Sequence, residues 1–320
     1  MLCAWFTVVC IAASGDELKK PPLEINTDLQ LLMSDAVAAY PTVAAAKANL
    51  TAVGADLSAA KWARFPSVTV EGLVYQDRPA GADSTMTDNK TQGTAIIDQP
   101  LWTGGVITGN INRVTHQQAA ALAALGESVL EVELQVAQYY FEVKRQLQRS
   151  EILRKSLVEH QSLVDMMRRR VEQQVSPTSD LELVSSRLAQ VQMQIATAIA
   201  SRNAAVQRLE DLVGRSGLDL HFVGRESAMP PMLNIDELIG FAIEFSPKLQ
   251  RLQAEVGAAG AAAQVSRAQL LPKLDMQYSY NDVIGSRVGL VLKSQFSSGL
   301  SGVAASEAAK MRQVSTGMQL

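Results

Sequence analysis

The sequence predicts a mainly α protein with a small membrane β part: long antiparallel coiled-coil hairpins joined to short β-hairpins. Three observations carry that prediction. From Leu122 onward, apolar residues recur every seven positions through about seven heptads, the spacing of helices in knobs-into-holes contact. Residues 35–72 align without a gap on residues 241–278, so one structural unit is written twice. After Pro272, the closing proline of the second copy's helix, comes a run in which apolar and polar residues alternate strictly, the period of a strand with two unlike faces, and the first copy has equivalent strands.

Composition fits this picture. Hydrophobic residues make up 47% of the 320 residues but aromatics only 5%, a balance suited to seams of Ala, Leu and Val rather than to a ring-rich enzyme core. The net charge of −3 gives no basic face to recommend nucleic acid. Both cysteines, Cys3 and Cys10, lie in "MLCAWFTVVCIAASGDE". The apolar run Leu2 to Ala13, followed by Ser14 and Gly15, reads as a signal-peptide-like segment over residues 1–15, although it lacks a basic start. A lipid-attachment cysteine is the alternative there, disfavoured by Val9 where a small residue should precede Cys10. Residues 16–34 read as an extended N-terminal segment. No other apolar run reaches the ~18 residues a spanning helix needs, so a membrane role requires strands.

The first repeat occupies residues 35–214 and the second begins at residue 235, after a linker over 215–234. Pro41 and Pro66 recur as Pro247 and Pro272 at the same spacing, each copy reading as an Ala-rich helix closed by proline and then a β-hairpin. In the second hairpin, residues 273–296, Leu274, Met276, Tyr278 and Tyr280 share one face, and after the turn Val288, Leu290 and Leu292 alternate again. These seven are the candidate membrane-facing residues; a half-exposed strand of a soluble sheet has the same pattern. In the first hairpin, residues 67–102, two equivalent strands flank the polar loop "DRPAGADSTMTDNKTQ".

The block "QPLWTGGVITGN" closes that hairpin, and its residues Pro100, Trp102, Gly104 and Gly105 are the candidate strand-helix joint. Pro100 is expected to end the strand and Trp102 to sit in an interfacial aromatic belt or a contact at the barrel base. The second copy has "FSSG" at this place, keeping Gly299 but carrying Ser298 opposite Gly104, so Gly105 is expected to matter more than Gly104. Between the repeats the offset falls from 206 residues at the prolines to 194 at the joint, which predicts a second hairpin loop shorter by twelve. Matched against the first copy, the second should run on for roughly 90 residues beyond Leu320, so the chain reads as C-terminally truncated.

The first long helix is predicted over 106–174, roughly 100 Å at 1.5 Å per residue. Its seam has two series: Leu122, Val129, Val136, Val143, Ser150, Leu157, Val164 and Val171, and Leu125, Val132, Tyr139, Gln146, Leu153, His160, Met167 and Gln174. A second line, Leu130, Leu134, Ala137 and Phe141, predicts neighbours on another side. After a tip at 175–180 the register resumes in a return helix over 181–214, through Val184, Val191, Ala198, Ala205 and Leu212. Ser176 with Pro177 at the first helical position, or a Ser179/Glu182 capping box, is expected to start it. Open sheet edges are not tolerated in lipid and four strands are too few to close a barrel, so several copies are expected to build one tube.

These residues resemble the TolC-like outer-membrane channel family, also called outer-membrane factors of tripartite efflux pumps and type I secretion systems. The resemblance rests on "AAYPTVAAAKANL", "AKWARFPSVTV", "QPLWTGGVITG", "RRRVEQQVSPTSDLELVSSRL" and "LEDLVG", in family order from about Leu29 to the end. It implies a homotrimer with a twelve-stranded barrel in outer-membrane lipid and an α-barrel crossing the periplasm. It further implies a passive exit duct without enzyme activity or cofactor, partnered by a periplasmic adaptor and an inner-membrane RND or ABC transporter. By position, Val175, Ser176, Pro177, Thr178, Ser179 and Asp180 would form the adaptor-contacting tip. The chain departs from the family with Gln174, where Gly is common, and with Pro177. A soluble periplasmic coiled-coil adaptor is the alternative, which explains the heptads but not the repeated hairpins.

Other chemistries find no support in spacing. Gly104 and Gly109 have the spacing of a phosphate loop, but Asn110 and Ile111 stand where Lys and Ser/Thr should follow. His116, His160 and His221 form no metal-ligand pair, and His160 falls on the seam. Arg168, Arg169 and Arg170 read as a solvated face near the tip, or as a contact for an acidic partner.

Overall fold

The computed structural model describes residues 27–74, 91–218, 234–282, 285–294 and 301–319. The leader-like segment 1–15, the hairpin loop of the first repeat and Gly299 lie outside these residues. The first repeat comprises α1 (Thr27–Ala39), α2 (Pro41–Trp62), β1 (Ser67–Val74), β2 (Thr91–Trp102), α3 (Val106–Glu172) and α4 (Thr178–Val213). The second comprises α5 (Ile235–Phe245), α6 (Pro247–Ala268), β3 (Lys273–Asn281), β4 (Gly285–Lys293) and α7 (Ser301–Gly317).

Residues 27–34 are helical, not extended. Leu29, Leu32 and Ala36 fall on one helical face and bury against α3 and α4, so tertiary packing decides a segment with weak local signal. Pro41 and Pro247 each open a helix at its first position, because proline fixes a helical φ and needs no donor there, while Tyr40 and Ser246 before them are extended. The α5 residues Ile235, Leu238 and Ala242, equivalent to Leu29, Leu32 and Ala36, are exposed.

The 67-residue α3 is the spine, with α4 antiparallel along its C-terminal half and α1, α2 and α6 along its N-terminal half. Val132, Val136, Val143, Gln146, Ser150 and Val164 of the seam are buried, as are Val184, Val191, Ala198, Ala205 and Leu212 across from them. Leu122 is an exception at 60% exposed. The 36-residue α4 spans only about 54 Å, so it ends near Val132 and Val136, and Leu122 lies beyond its reach. Beside α2 and α6 the buried positions shift to Ala121 and Ala123. Leu130, Leu134 and Phe141 of the second line are exposed, and Ile152, Leu163 and Met166 continue that stripe. Arg251 ties α6 to the spine through Glu127 at 2.8 Å while holding Glu255 at 2.7 Å, and these carboxylates raise its pKa.

The strands form one antiparallel sheet in the order β1-β2-β3-β4. Ser67 pairs with Asp98 at the base of the first hairpin and Lys273 with Lys293 at the base of the second. The first pair is 31 positions apart and the second 20, so the hairpins differ by eleven residues and not twelve. The twelfth is a β-bulge: β2 skips one register step between Pro100 and Trp102 against Asp275 and Leu274. Among the described residues no helix is long and apolar enough to cross a membrane.

Candidate functional site: a two-faced sheet, a joint and a helical tip

The ladder sorts the sheet into two chemically distinct faces. Cross-strand pairs Leu274/Leu292, Met276/Leu290 and Tyr278/Val288 place the seven candidate membrane-facing residues on one side, with Tyr280 at the turn end. Ile97 opposite Tyr278 and Val68 opposite Ile97 carry the same face across β2 and β1, joined by Val70 and Ala95. Nothing among the described residues covers it: Val288, Leu290 and Leu292 are 72%, 67% and 69% exposed.

The other face is mainly polar, and several of its residues pair across the strands. Gln277 Nε2 donates to Asp98 Oδ1 at 2.9 Å, Asn281 Nδ2 to Thr94 Oγ1 at 2.9 Å, and Lys293 Nζ lies 3.2 Å from Asp275 and 3.9 Å from Asp98. These partners were not singled out in the sequence, although strict alternation placed Asp275 and Gln277 opposite the apolar set.

At the joint, Pro100 sits within β2 rather than ending it, immediately before the bulge, where a missing N–H is tolerated. The bulge has a consequence for Trp102. By uninterrupted alternation Trp102 would follow Asp98 and Pro100 onto the polar face; the extra residue returns it to the side of Leu274, 49% exposed. Trp62 and Phe65, with ring centroids 4.9 Å apart, are also exposed at the end of α2 that leads into β1, where Gln99 Nε2 donates to the Arg64 carbonyl at 3.0 Å.

Gly104 and Gly105 both have positive φ, +62° and +94°, which swings the chain from sheet to helix. Gly105 is the α3 N-cap and has open space around it, whereas a Cβ on Gly104 would lie 2.8 Å from Leu271 Cβ and 3.0 Å from the Ala268 carbonyl oxygen. Steric crowding therefore points to Gly104, against the ranking expected from the alignment of the two copies. Ala268, the last residue of α6, and Leu271 in the turn after it are the residues that sequence spacing could not connect to this turn.

At the tip, α3 ends in a Schellman turn: the Val175 N–H donates to the Arg170 carbonyl at 2.9 Å and the Gln174 N–H to the Val171 carbonyl at 2.9 Å. Gln174 takes the left-handed position at φ 58°, the one non-glycine residue with positive φ among those described. Val175 projects into solvent, 64% exposed. Pro177 is the N-cap of α4, which starts at Thr178 rather than residue 181, and neither expected side-chain cap forms there. Pro177 already holds extended ψ, so Ser176 falls one position too early and Ser179 lies inside the helix. Asp180 in the first turn offsets the helix dipole instead. Gln174→Gly should stabilise the tip by about 0.5–1 kcal/mol, removing left-handed strain at the cost of some unfolded-state entropy. Slower amide exchange at Gln174 and Val175 would check it, and Gln174→Val should speed exchange.

His160 Nδ1 lies 2.9 Å from the Ser156 carbonyl one turn back, and among the described residues Arg168 pairs only with Asp165 on its own helix at 3.8 Å. No cluster of His, Cys, Asp and Glu among the described residues has a metal-binding arrangement.

A sequence profile of the outer membrane efflux protein family matches residues 32–215, more than half of the chain. No curated protein matches it in sequence. Among solved structures, the outer-membrane channel OprN superposes with a TM-score of 0.78 at 17% identity, covering 91% of this chain and 69% of that one. The outer membrane protein VceC of Vibrio cholerae gives 0.77 at 16% identity, covering 91% and 74%. The open state of the MtrE outer membrane channel of Neisseria gonorrhoeae gives 0.66 at 16% identity, covering 90% and 68%. With the profile spanning the first repeat and the fold shared over nine-tenths of its length, the chain belongs to the outer membrane efflux protein family, and is an outer-membrane protein rather than an enzyme.

Proposed function

We propose that the chain is one subunit of a passive exit duct serving a tripartite efflux pump or a type I secretion system. The observation that carries this is the uncovered apolar face of a four-stranded sheet with a polar reverse side, continuous through Trp102, Gly104 and Gly105 with a helix about 100 Å long. Facing lipid, the apolar side needs no further cover; facing a lumen, the Asp98, Asp275, Gln277 and Lys293 side stays wet. Both outer strands have open edges, and lipid does not tolerate open edges, so three copies would contribute twelve strands to one closed barrel.

The exposed α3 stripe through Leu130, Leu134 and Phe141 would then face a neighbouring wall helix. Trp62, Phe65 and Trp102 would lie at the periplasmic interface of the bilayer, where amphipathic rings are favoured. At the far end the turn from Val175 to Asp180, with its bare valine, would meet the periplasmic adaptor, and an RND or ABC transporter in the inner membrane would energise the flow.

Planar-bilayer recording of the full-length parent protein, with the second repeat complete, tests the duct directly. Stable steps of conductance are expected. A protein that folds and inserts yet never conducts would falsify the duct while leaving the fold intact.

A further inference from the structure

The two hairpins are related by register as well as by sequence, and that relation specifies a contact the isolated chain cannot make. Ser67/Asp98 in the first hairpin stands where Lys273/Lys293 stands in the second, so β1 maps on β3 and β2 on β4. Within the chain the two repeats meet along β2 and β3, with Asp98 opposite Gln277 and Ile96 opposite Ser279. Applying the same mapping to that seam carries β2 to β4 and β3 to β1. It converts Asp98/Gln277 into Lys293/Glu71, Ile97/Tyr278 into Leu292/Gly72, and Ile96/Ser279 into Val291/Leu73.

We infer that β4 of one copy pairs antiparallel with β1 of the next in this register, Lys293 directly opposite Glu71. The mapping was fixed without reference to charge, yet it brings a cation against an anion on the polar face. Glu71 has no ion-pair partner among the described residues, and it sits on the free edge of β1. Lys293 already reaches Asp275 at 3.2 Å and Asp98 at 3.9 Å, so Glu71 of the next copy would extend a carboxylate cluster around one ammonium group. Face parity agrees: Leu292 and Gly72 both lie on the apolar side, Val291 and Leu73 on the other. A slip of one residue would turn apolar side chains into the polar face, so the register is tightly specified. Opposite charges directly across a ladder favour the pairing, and like charges oppose it.

This inference rests on the multi-copy barrel proposed above, and cysteine cross-linking separates the two. Cys3 and Cys10 are first replaced by serine in the full chain, which leaves no other cysteine. Leu73→Cys with Val291→Cys then places thiols directly opposite, with Cα atoms about 4.5–5.5 Å apart, inside the range a disulfide bridges. Leu73→Cys with Gly289→Cys is the control, displaced by two residues to about 7–8 Å. Oxidation of outer membranes should convert the first variant to covalent trimer and leave the control uncross-linked. Cross-linking of the control alone overturns the register and keeps the barrel. A multimer in which neither pair cross-links overturns the edge contact, and a protein that is monomeric in the membrane overturns the barrel as well. As an independent measure, Glu71→Lys should weaken trimer association by about tenfold while Glu71→Gln has a smaller effect; equal behaviour of the two would remove Lys293 as the partner.

Discussion

Gly104→Val is expected to destabilise the assembled protein by about 2–5 kcal/mol, and more than Gly105→Val does. Two costs combine at Gly104. A β-branched side chain at φ +62° is strained by about 1–2 kcal/mol, and the new Cβ arrives 2.8 Å from Leu271 Cβ and 3.0 Å from the Ala268 carbonyl oxygen. Neither neighbour is the far end of a flexible side chain, so relief requires moving the end of α6 and the turn after it away from Gly104, an overpacking cost of about 1–3 kcal/mol. Gly105 has the less favourable φ of +94° but open space, so its replacement carries backbone strain alone. Gly104→Ala and Gly105→Ala should keep the same order with smaller losses. Urea unfolding midpoints of the four variants in one detergent check the ranking; a lower midpoint for Gly105→Ala than for Gly104→Ala would show that α6 yields without resistance.

The crowding at this turn marks where sequence reasoning stops. Comparison of "WTGG" with "FSSG" weighed only the residues that align, and on that ground Gly105 ranked first. What crowds Gly104 is Leu271, more than 160 positions away, and no local pattern announces it. The bulge near Leu101 left a trace that was misassigned: the twelve-residue change of offset was attributed entirely to the hairpin loop. One extra residue in β2 is visible only against the partner strand, yet it decides which face Trp102 joins. The seam residues Val136, Val143, Val191 and Ala198 were legible for the opposite reason. Their burial repeats with the helix itself, so a regular spacing encodes it in each turn. Leu122 kept the spacing but lost the partner, because the length of α4, not the period of α3, determines where the shared seam ends. Residues 27–34 were missed because one short apolar face becomes a helix only when α3 and α4 are present to receive it.

The orientation of the sheet carries the second large effect, and two adjacent residues of β3 isolate it. Met276 lies on the apolar face, paired with Leu290, while Gln277 lies on the polar face with its amide 2.9 Å from Asp98. In a lipid-facing barrel, Met276→Arg places a cation in the hydrocarbon and should cost about 2–4 kcal/mol, whereas Gln277→Arg meets Asp98 and water and should cost little. A solvent-exposed sheet makes a different prediction, because surface substitutions away from special features fall within about 0.5 kcal/mol. Met276 is 45% exposed, so in water an arginine there has room to turn outward. Unfolding of both variants in lipid vesicles decides between the two environments. A large penalty at Met276 with a small one at Gln277 places lipid against the face that holds Tyr278, Val288 and Leu290. Equal, small penalties would remove the bilayer from that face and return the sheet to water. The comparison isolates the surroundings of the sheet, since the same arginine is introduced on neighbouring residues of one central strand and the backbone ladder is common to both.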